Sequence, residues 1–330
     1  MEMTSSDLLR STLDRADSVA IAGHVRPDGD CTGSCLAVYN YIRDNYPQTS
    51  VDLYLEPVPE KFLFLKNSDR IRTDAEETAR VYDLFIALDC GDSGRLGAAA
   101  HLFQSAGHTL CVDHHMTNQS FADHNFVFPE ASSTCELVYQ LMDPQKITKE
   151  IAECLYLGIV HDTGVFQYSC TSPATMEIAG KLMAKGIDYP KIVDETYYMK
   201  SFAQQKIWGK AMMESQLHLN GKCISGIVTK KDMEVYGVSP KELDGLVSGL
   251  RSTAGVEAAV FLYETEDGYK ISLRSARYVD VAKIAMEFGG GGHVRAAGAS
   301  SDIKDPERIL NELLGKIRQQ LTEGVCTTES

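Results

Sequence analysis

The chain has 330 residues, 44% of them hydrophobic and 24% charged, with 46 acidic against 32 basic side chains and a formal net charge of −14. That length exceeds one small core and suits two ordinary domains, and the composition excludes a mostly disordered chain. The negative balance argues against a long nucleic-acid duplex, which needs a basic face, and no long charge-free apolar run reads as a membrane span.

Residues 1–10 (MEMTSSDLLR) have a helical, acidic pattern without the layout of a signal peptide. An apolar run at 18–22 precedes a turn and a helix over 32–43, and 51–55 alternates as a strand does. Residues 82–88 and 109–112 are further strand candidates, and 95–106, 133–142 and 149–159 carry helical patterns. Strands separated by helices predict βαβ units and a mostly parallel sheet. A long helical stretch over 189–217, containing Trp208, would join two domains. Beyond it the pattern gives strands at 223–229, 257–264 and 269–274, a helix at 279–287, four glycines, a last amphipathic helix over 306–321 and a frayed tail after Thr322. The expected architecture is α/β: a parallel-sheet domain over 1–190, a helical linker over 191–217, and a smaller α/β domain over 218–330, with the active site in the cleft between the domains.

Nine cysteines, an odd number without CxxC spacing, read as buried thiols in a reducing cytoplasm rather than as disulfides. Their spacing gives no support to zinc held by cysteine.

Four segments carry chemistry. Gly23-His24-Val25-Arg26-Pro27-Asp28-Gly29-Asp30 follows the first strand directly. Pro-Asp-Gly-Asp is also an ordinary turn, in which Asp30 could cap the next helix. The run Phe-Ile-Ala-Leu-Asp-Cys-Gly-Asp takes a strand straight into Asp89, the strand at 109–112 feeds Asp113-His114-His115, and an apolar helix ends in His161-Asp162. In an open α/β sheet, ligands sit in loops after the strands' carboxyl ends. So many carboxylates in one place repel each other unless a cation neutralises them. Oxygen-rich donors with a few imidazoles suit Mn²⁺ or Mg²⁺. Two such ions about 3.5–4 Å apart clamp an in-line phosphoryl displacement.

These motifs, in this order, resemble the DHH phosphoesterase superfamily, named after the tripeptide seen here as Asp113-His114-His115. The segment Gly289-Gly290-Gly291-Gly292-His293-Val294-Arg295-Ala296-Ala297-Gly298 resembles the signature of the DHH-associated substrate domain. The short two-domain layout is similar to the nanoRNase (oligoribonuclease)/pAp phosphatase group. The resemblance implies one metal on His24 and Asp28, a second on Asp30, His114 and Asp162, and Asp89 bridging both. It implies that His115 faces the scissile phosphate and that Asp113 orients a neighbouring histidine. It also implies that Arg274, Gly290, Gly291, Gly292 and His293 hold the substrate phosphate, with Arg95 and Ser133 as further contacts. The hydroxyls of Ser132, Ser133 and Thr134 suit a helix cap first, with a further role near the cleft implied by the resemblance, and His161 is the one remaining histidine with an acidic neighbour in the motif. Tyr197, Tyr198, Phe202 and Trp208 have the spacing of packing residues.

The activity implied is two-metal, in-line hydrolysis of short oligoribonucleotides to mononucleotides and of 3′-phosphoadenosine 5′-phosphate (pAp) to AMP. Mn²⁺ is the first choice of cation, ahead of Mg²⁺ or Co²⁺. The alternatives are a cyclic-di-AMP or linear pApA phosphodiesterase and a non-catalytic nucleotide sensor. The expected partners are short RNA and small nucleotides, with no long duplex and no membrane, and a homo-oligomer is compatible with the sequence.

Overall fold

A computed structural model describes residues 5–326, and the chain divides into two units, Met1–Met199 and Lys200–Ser330. In the first unit, strands β1 (Ser18–Ala22), β2 (Ser50–Tyr54), β3 (Ile71–Arg72), β4 (Leu84–Leu88), β5 (His108–Asp113) and β6 (His124–Val127) form one sheet in the order β3-β2-β1-β4-β5-β6. Every pair is parallel. The order reverses between β1 and β4, so the carboxyl ends of those two neighbours open onto the topological switch point, where doubly wound sheets bind their ligands.

Both faces of this sheet are covered, so its strands are apolar throughout rather than alternating. Val19, Ile21, Leu84, Ile86 and Leu88 join one core, and Ala20, Ala22, Phe85 and Ala87 join another on the opposite face. The unit's helices are α1 (Ser5–Leu13), α2 (Gly29–Asn45), α3 (Ala100–Ser105), α4 (Thr134–Leu141), α5 (Lys149–Asp162), α6 (Pro173–Met183) and α7 (Tyr189–Val193). The helix expected over 95–106 is divided: tight 3₁₀ turns run over Ser93–Ala99 with Gly97 at φ +54°, and α3 follows. Strands β3 and β6 were not anticipated, because runs of two and four residues are too short to display a period of two.

The continuous helix expected over 189–217 is also broken. α7 runs into a π-helical turn over Asp194–Tyr198, Met199 is extended, and α8 (Phe202–Met213) starts afresh. Ser201 caps α8 in a reciprocal pairing with Gln204, a local start signal hidden by apolar periodicity on both sides. By Gln216 the chain is already in a strand.

The second unit holds β7 (Gln216–His218), β8 (Cys223–Val228), β9 (Ala258–Glu264), β10 (Tyr269–Ser275), β11 (Gly291–His293) and β12 (Ala296–Ser301), in the order β11-β12-β10-β9-β8-β7. Only the β8–β9 pair is parallel, which makes the sheet mixed. Helices α9 (Lys230–Tyr236) and α10 (Leu246–Arg251) cover one face with α8, while α11 (Val281–Glu287) and α12 (Pro306–Cys326) cover the other. α12 continues past Thr322, where fraying was expected, and residues 1–4 and 327–330 lie outside the described part. Among the described residues, no helix is long and apolar enough to cross a membrane.

Candidate metal centre

The centre is assembled at the switch point of the parallel sheet. β1 ends at Ala22, and the chain passes through His24 into Asp28, which caps α2 by accepting from the Asp30 and Cys31 amides at 3.1 Å each. The cap is therefore Asp28, not Asp30. Asp30, in the first turn of α2, is fully buried and accepts from the Thr134 and Cys135 amides at 2.6 and 2.9 Å. Those two amides open α4, so a helix N-terminus faces the carboxylate. Gly158 on α5 makes room for it: a Cβ there would lie 2.6 Å from Asp30 Oδ1.

Asp89 follows β4 immediately and adopts φ +55°, a left-handed conformation that Asp tolerates better than most residues. It is 2% exposed and central to the cluster. Its Oδ2 lies 3.4 Å from His24 Nε2, and its Oδ1 lies 3.7 Å from His114 Nε2 and 3.7 Å from His115 Nδ1. The Thr134 hydroxyl also donates to Oδ1, at 3.1 Å. His114 reaches Asp162, the last residue of α5, at 3.0 Å. His24 Nδ1 pairs with the Val25 carbonyl at 2.9 Å, which directs Nε2 at the carboxylates.

One donor group falls wholly on residues expected for metal: Asp30, His114 and Asp162 bring ligand atoms within 4.8 Å of one another; a second joins Asp89 and His114 to His115, the histidine expected to face the phosphate rather than a metal. A third group joins His24 and Asp89 to Cys31. Asp28 stands 3.7 Å from His24 Nε2 at the exposed rim.

The electrostatics show what the cluster is built for. Burial, then the charges of Asp89 and Asp162, push the Asp30 carboxyl well above its usual range. Burial likewise raises Asp162 to about 6, against the pull of its His114 partner. Burial disfavours protonated His24, but its hydrogen bonds to Asp28 and Asp89 outweigh that and lift it to about 12. His114 rises to about 10 because Asp162 overrides burial in the same way. Buried carboxylates that raise one another, with imidazoles taking up protons among them, form a donor set with an excess of negative charge. Oxygen and imidazole donors of this kind fit hard or borderline divalent cations.

Asp113, the last residue of β5, is fully buried and accepts from His115 Nδ1 and from Asn118 Nδ2, both at 2.7 Å. Burial disfavours its charge, but those bonds win and hold its carboxyl below the usual value. His161 lies outside the donor groups: its Nε2 pairs with Thr196 at 3.0 Å, its ring packs on Phe62, and burial lowers it to about 4. Ser133 is fully buried and caps α4 by accepting from the Glu136 amide at 3.1 Å. Arg95 is exposed at the start of the 3₁₀ turns. In the second unit, Arg274 lies near the end of β10 opposite Ala296, and Gly291, Gly292 and His293 form β11, with Gly290 just before it. Sequence reasoning missed the Thr134 amide, the Cys135 amide, Asn118 and Cys31. The first three act through hydrogen bonds that carry no motif, and Cys31 is an ordinary helix residue until the fold places it beside His24.

This architecture, a doubly wound sheet with acids and imidazoles gathered at its switch point, is that of the DHH family: residues 18–159 match the DHH family N-terminal domain and residues 225–323 match the DHHA1 domain. The chain thus carries a DHH N-terminal domain followed by a DHHA1 domain. It is 29% identical over 308 residues to the bifunctional oligoribonuclease and PAP phosphatase NrnA of Thermus thermophilus, covering 93% of this chain and 91% of that one. The protein of the same name from Bacillus subtilis is 29% identical over 314 residues, covering 93% and 97%. Among solved structures, an exopolyphosphatase-related protein from Bacteroides fragilis superposes with a TM-score of 0.87 at 26% identity, covering 97% of this chain and 96% of that one.

Proposed function

We propose that this chain is a metal-dependent phosphoesterase that hydrolyses short oligoribonucleotides to mononucleotides and pAp to AMP, using two divalent cations, with Mn²⁺ the preferred ion. The observation that carries this reading is the position of Asp89, whose two oxygens address His24 on one side and His114 on the other. Its support from relatives is the shared name of the two NrnA proteins, each matched over more than nine-tenths of this chain. His24, Asp28 and Asp89 would hold one cation, and Asp30, His114 and Asp162, with Asp89 shared, the other. Such a pair supplies Lewis acidity and neutralises charge on a phosphate in transfer.

The chain's own residues do the rest. The Thr134 and Cys135 amides keep Asp30 in place without a movable side chain. Asp113 fixes the His115 ring by its hydrogen bond at Nδ1, so we assign proton donation to the leaving oxygen to Nε2. Arg274, His293 and the amides around Gly290–Gly292 are assigned to the substrate phosphate, since an arginine fork and close backbone N–H groups recognise that group. A grip of this size suits a few phosphates, in keeping with a net charge of −14. We place the enzyme in the cytoplasm, where the buried thiols stay reduced.

The test is Mn²⁺-dependent release of phosphate or mononucleotide from pAp, an RNA trinucleotide, pApA and pyrophosphate, measured side by side. Turnover of pAp and the trinucleotide is expected. Inertness toward all four would overturn the reading in favour of a nucleotide sensor, and preference for pApA would move the substrate to linear dinucleotides.

A further inference from the structure

The donor group His24, Cys31 and Asp89 contains a sulfur that the DHH motifs do not call for. Each of the three offers a ligand atom within 4.8 Å of the other two, and all three are buried. Cys31 is held in place by its backbone: it lies in the first turn of α2, and its amide donates to Asp28 Oδ1 at 3.1 Å. Its Sγ lies 3.8 Å from the His24 carbonyl oxygen. Cys35, one helical turn further along, is equally buried but belongs to no donor group.

We propose that Cys31 is a soft fourth donor at the His24 end of the centre, making that position a binding site for thiophilic divalent cations such as Cd²⁺ and Zn²⁺. The inference rests on the reading that His24 and Asp89 hold a metal, and it extends that reading to which ions the position takes. Hard ions such as Mn²⁺ and Mg²⁺ choose oxygen and nitrogen and leave a thiol alone, whereas softer ions take thiolate. Donors on one tetrahedral zinc-sized ion stand about 3.3–3.6 Å apart, because Zn–S is about 2.3 Å and Zn–N about 2.0–2.1 Å. Side chains within 4.8 Å of one another therefore close by about 1 Å to bind it. On binding, the metal–sulfur bond forms, the S–H bond breaks, and the proton passes to solvent with no change of oxidation state. With His24, Asp28 and Asp89 the site would have one nitrogen, two oxygens and one sulfur, a tetrahedral set that suits Zn²⁺. One consequence is competition, in which a thiophilic ion displaces the working cation from one half of the pair.

The experiment uses the full chain stripped of metal and titrated with Cd²⁺, following the ultraviolet sulfur-to-cadmium charge-transfer band. The band should appear and saturate at one equivalent in the wild type and in Cys35→Ser, and be lost in Cys31→Ser. A band of undiminished intensity in Cys31→Ser, or none in the wild type, overturns the proposal. A second measurement needs no variant: cadmium K-edge absorption on the wild-type complex should show one sulfur among the bound atoms, and a shell of nitrogen and oxygen alone refutes it. Neither readout involves turnover. An inactive protein that shows the band leaves this site standing and removes the catalytic reading, and an active protein without the band does the reverse.

Discussion

Thr134 ties two carboxylates of the centre together: its amide donates to Asp30 Oδ2 at 2.6 Å and its hydroxyl to Asp89 Oδ1 at 3.1 Å. One residue at the start of α4 thus sets the relative position of acids that arrive from α2 and from the end of β4.

That relationship predicts that Thr134→Val, which keeps the shape and the amide but removes the hydroxyl, weakens cation affinity by about 10- to 100-fold. Thr134→Ser should restore most of it. Calorimetric titration with Mn²⁺ separates the two, and equal affinity in both variants would assign Thr134 to packing alone.

Asp89 belongs to two of the three donor groups, so Asp89→Asn should lower both metal occupancy and pAp turnover, the latter by at least about a hundredfold. Asn tolerates the left-handed backbone at this position nearly as well as Asp, so the fold should survive. Metal analysis of the purified variant together with its turnover provides the check; full occupancy with retained activity would remove Asp89 from the centre.

The raised imidazoles give a pH prediction. His24 and His114, at about 12 and about 10, both carry protons near neutrality in the metal-free chain and must release them to act as ligands. Cation affinity should therefore rise as pH increases from about 6 to 8, with protons released on binding. Calorimetry in buffers of different ionisation enthalpy measures that release, and buffer-independent heats would contradict it. Stability of the metal-free chain runs in the opposite sense: what these histidines contribute is complete below their unfolded value of about 6.5. It fades as pH climbs through their folded values, first that of His114 and then that of His24.

The glycine hairpin divides by position. A Cβ at Gly290 would lie 2.2 Å from the Gly298 carbonyl oxygen, and one at Gly292 would lie 2.5 Å from that of Ala296, whereas Gly291 faces open space. Gly290→Ala and Gly292→Ala should each destabilise the second unit by about 1–3 kcal/mol, and Gly291→Ala by no more than about 0.5 kcal/mol. Denaturant midpoints of the three variants decide this, and three equal midpoints would show that the hairpin yields freely.

Much of the centre was legible before folding, because His24, Asp30, Asp89, His114 and Asp162 each occupy the end of a strand or helix that apolar patterning marks out. What remained hidden depended on partners distant in sequence. Asp30 meets Thr134 across 104 residues, and nothing in either segment announces the other. The break between α7 and α8 was hidden for a different reason: apolar periodicity on either side of Ser201 imitates one helix, and only the cap shows that two meet there.

The amino-acid order by itself determined the alternation of strands and helices, the separation into two α/β parts and the inventory of acids and imidazoles, since each follows from local periodicity and turn chemistry. Tertiary structure alone decided the strand order that makes β1 and β4 neighbours, the helix amides that hold Asp30, and the approach of Cys31 to Asp89. Those contacts arise from packing between segments far apart in the chain, where geometry depends on how whole layers close over one another rather than on any nearby residue.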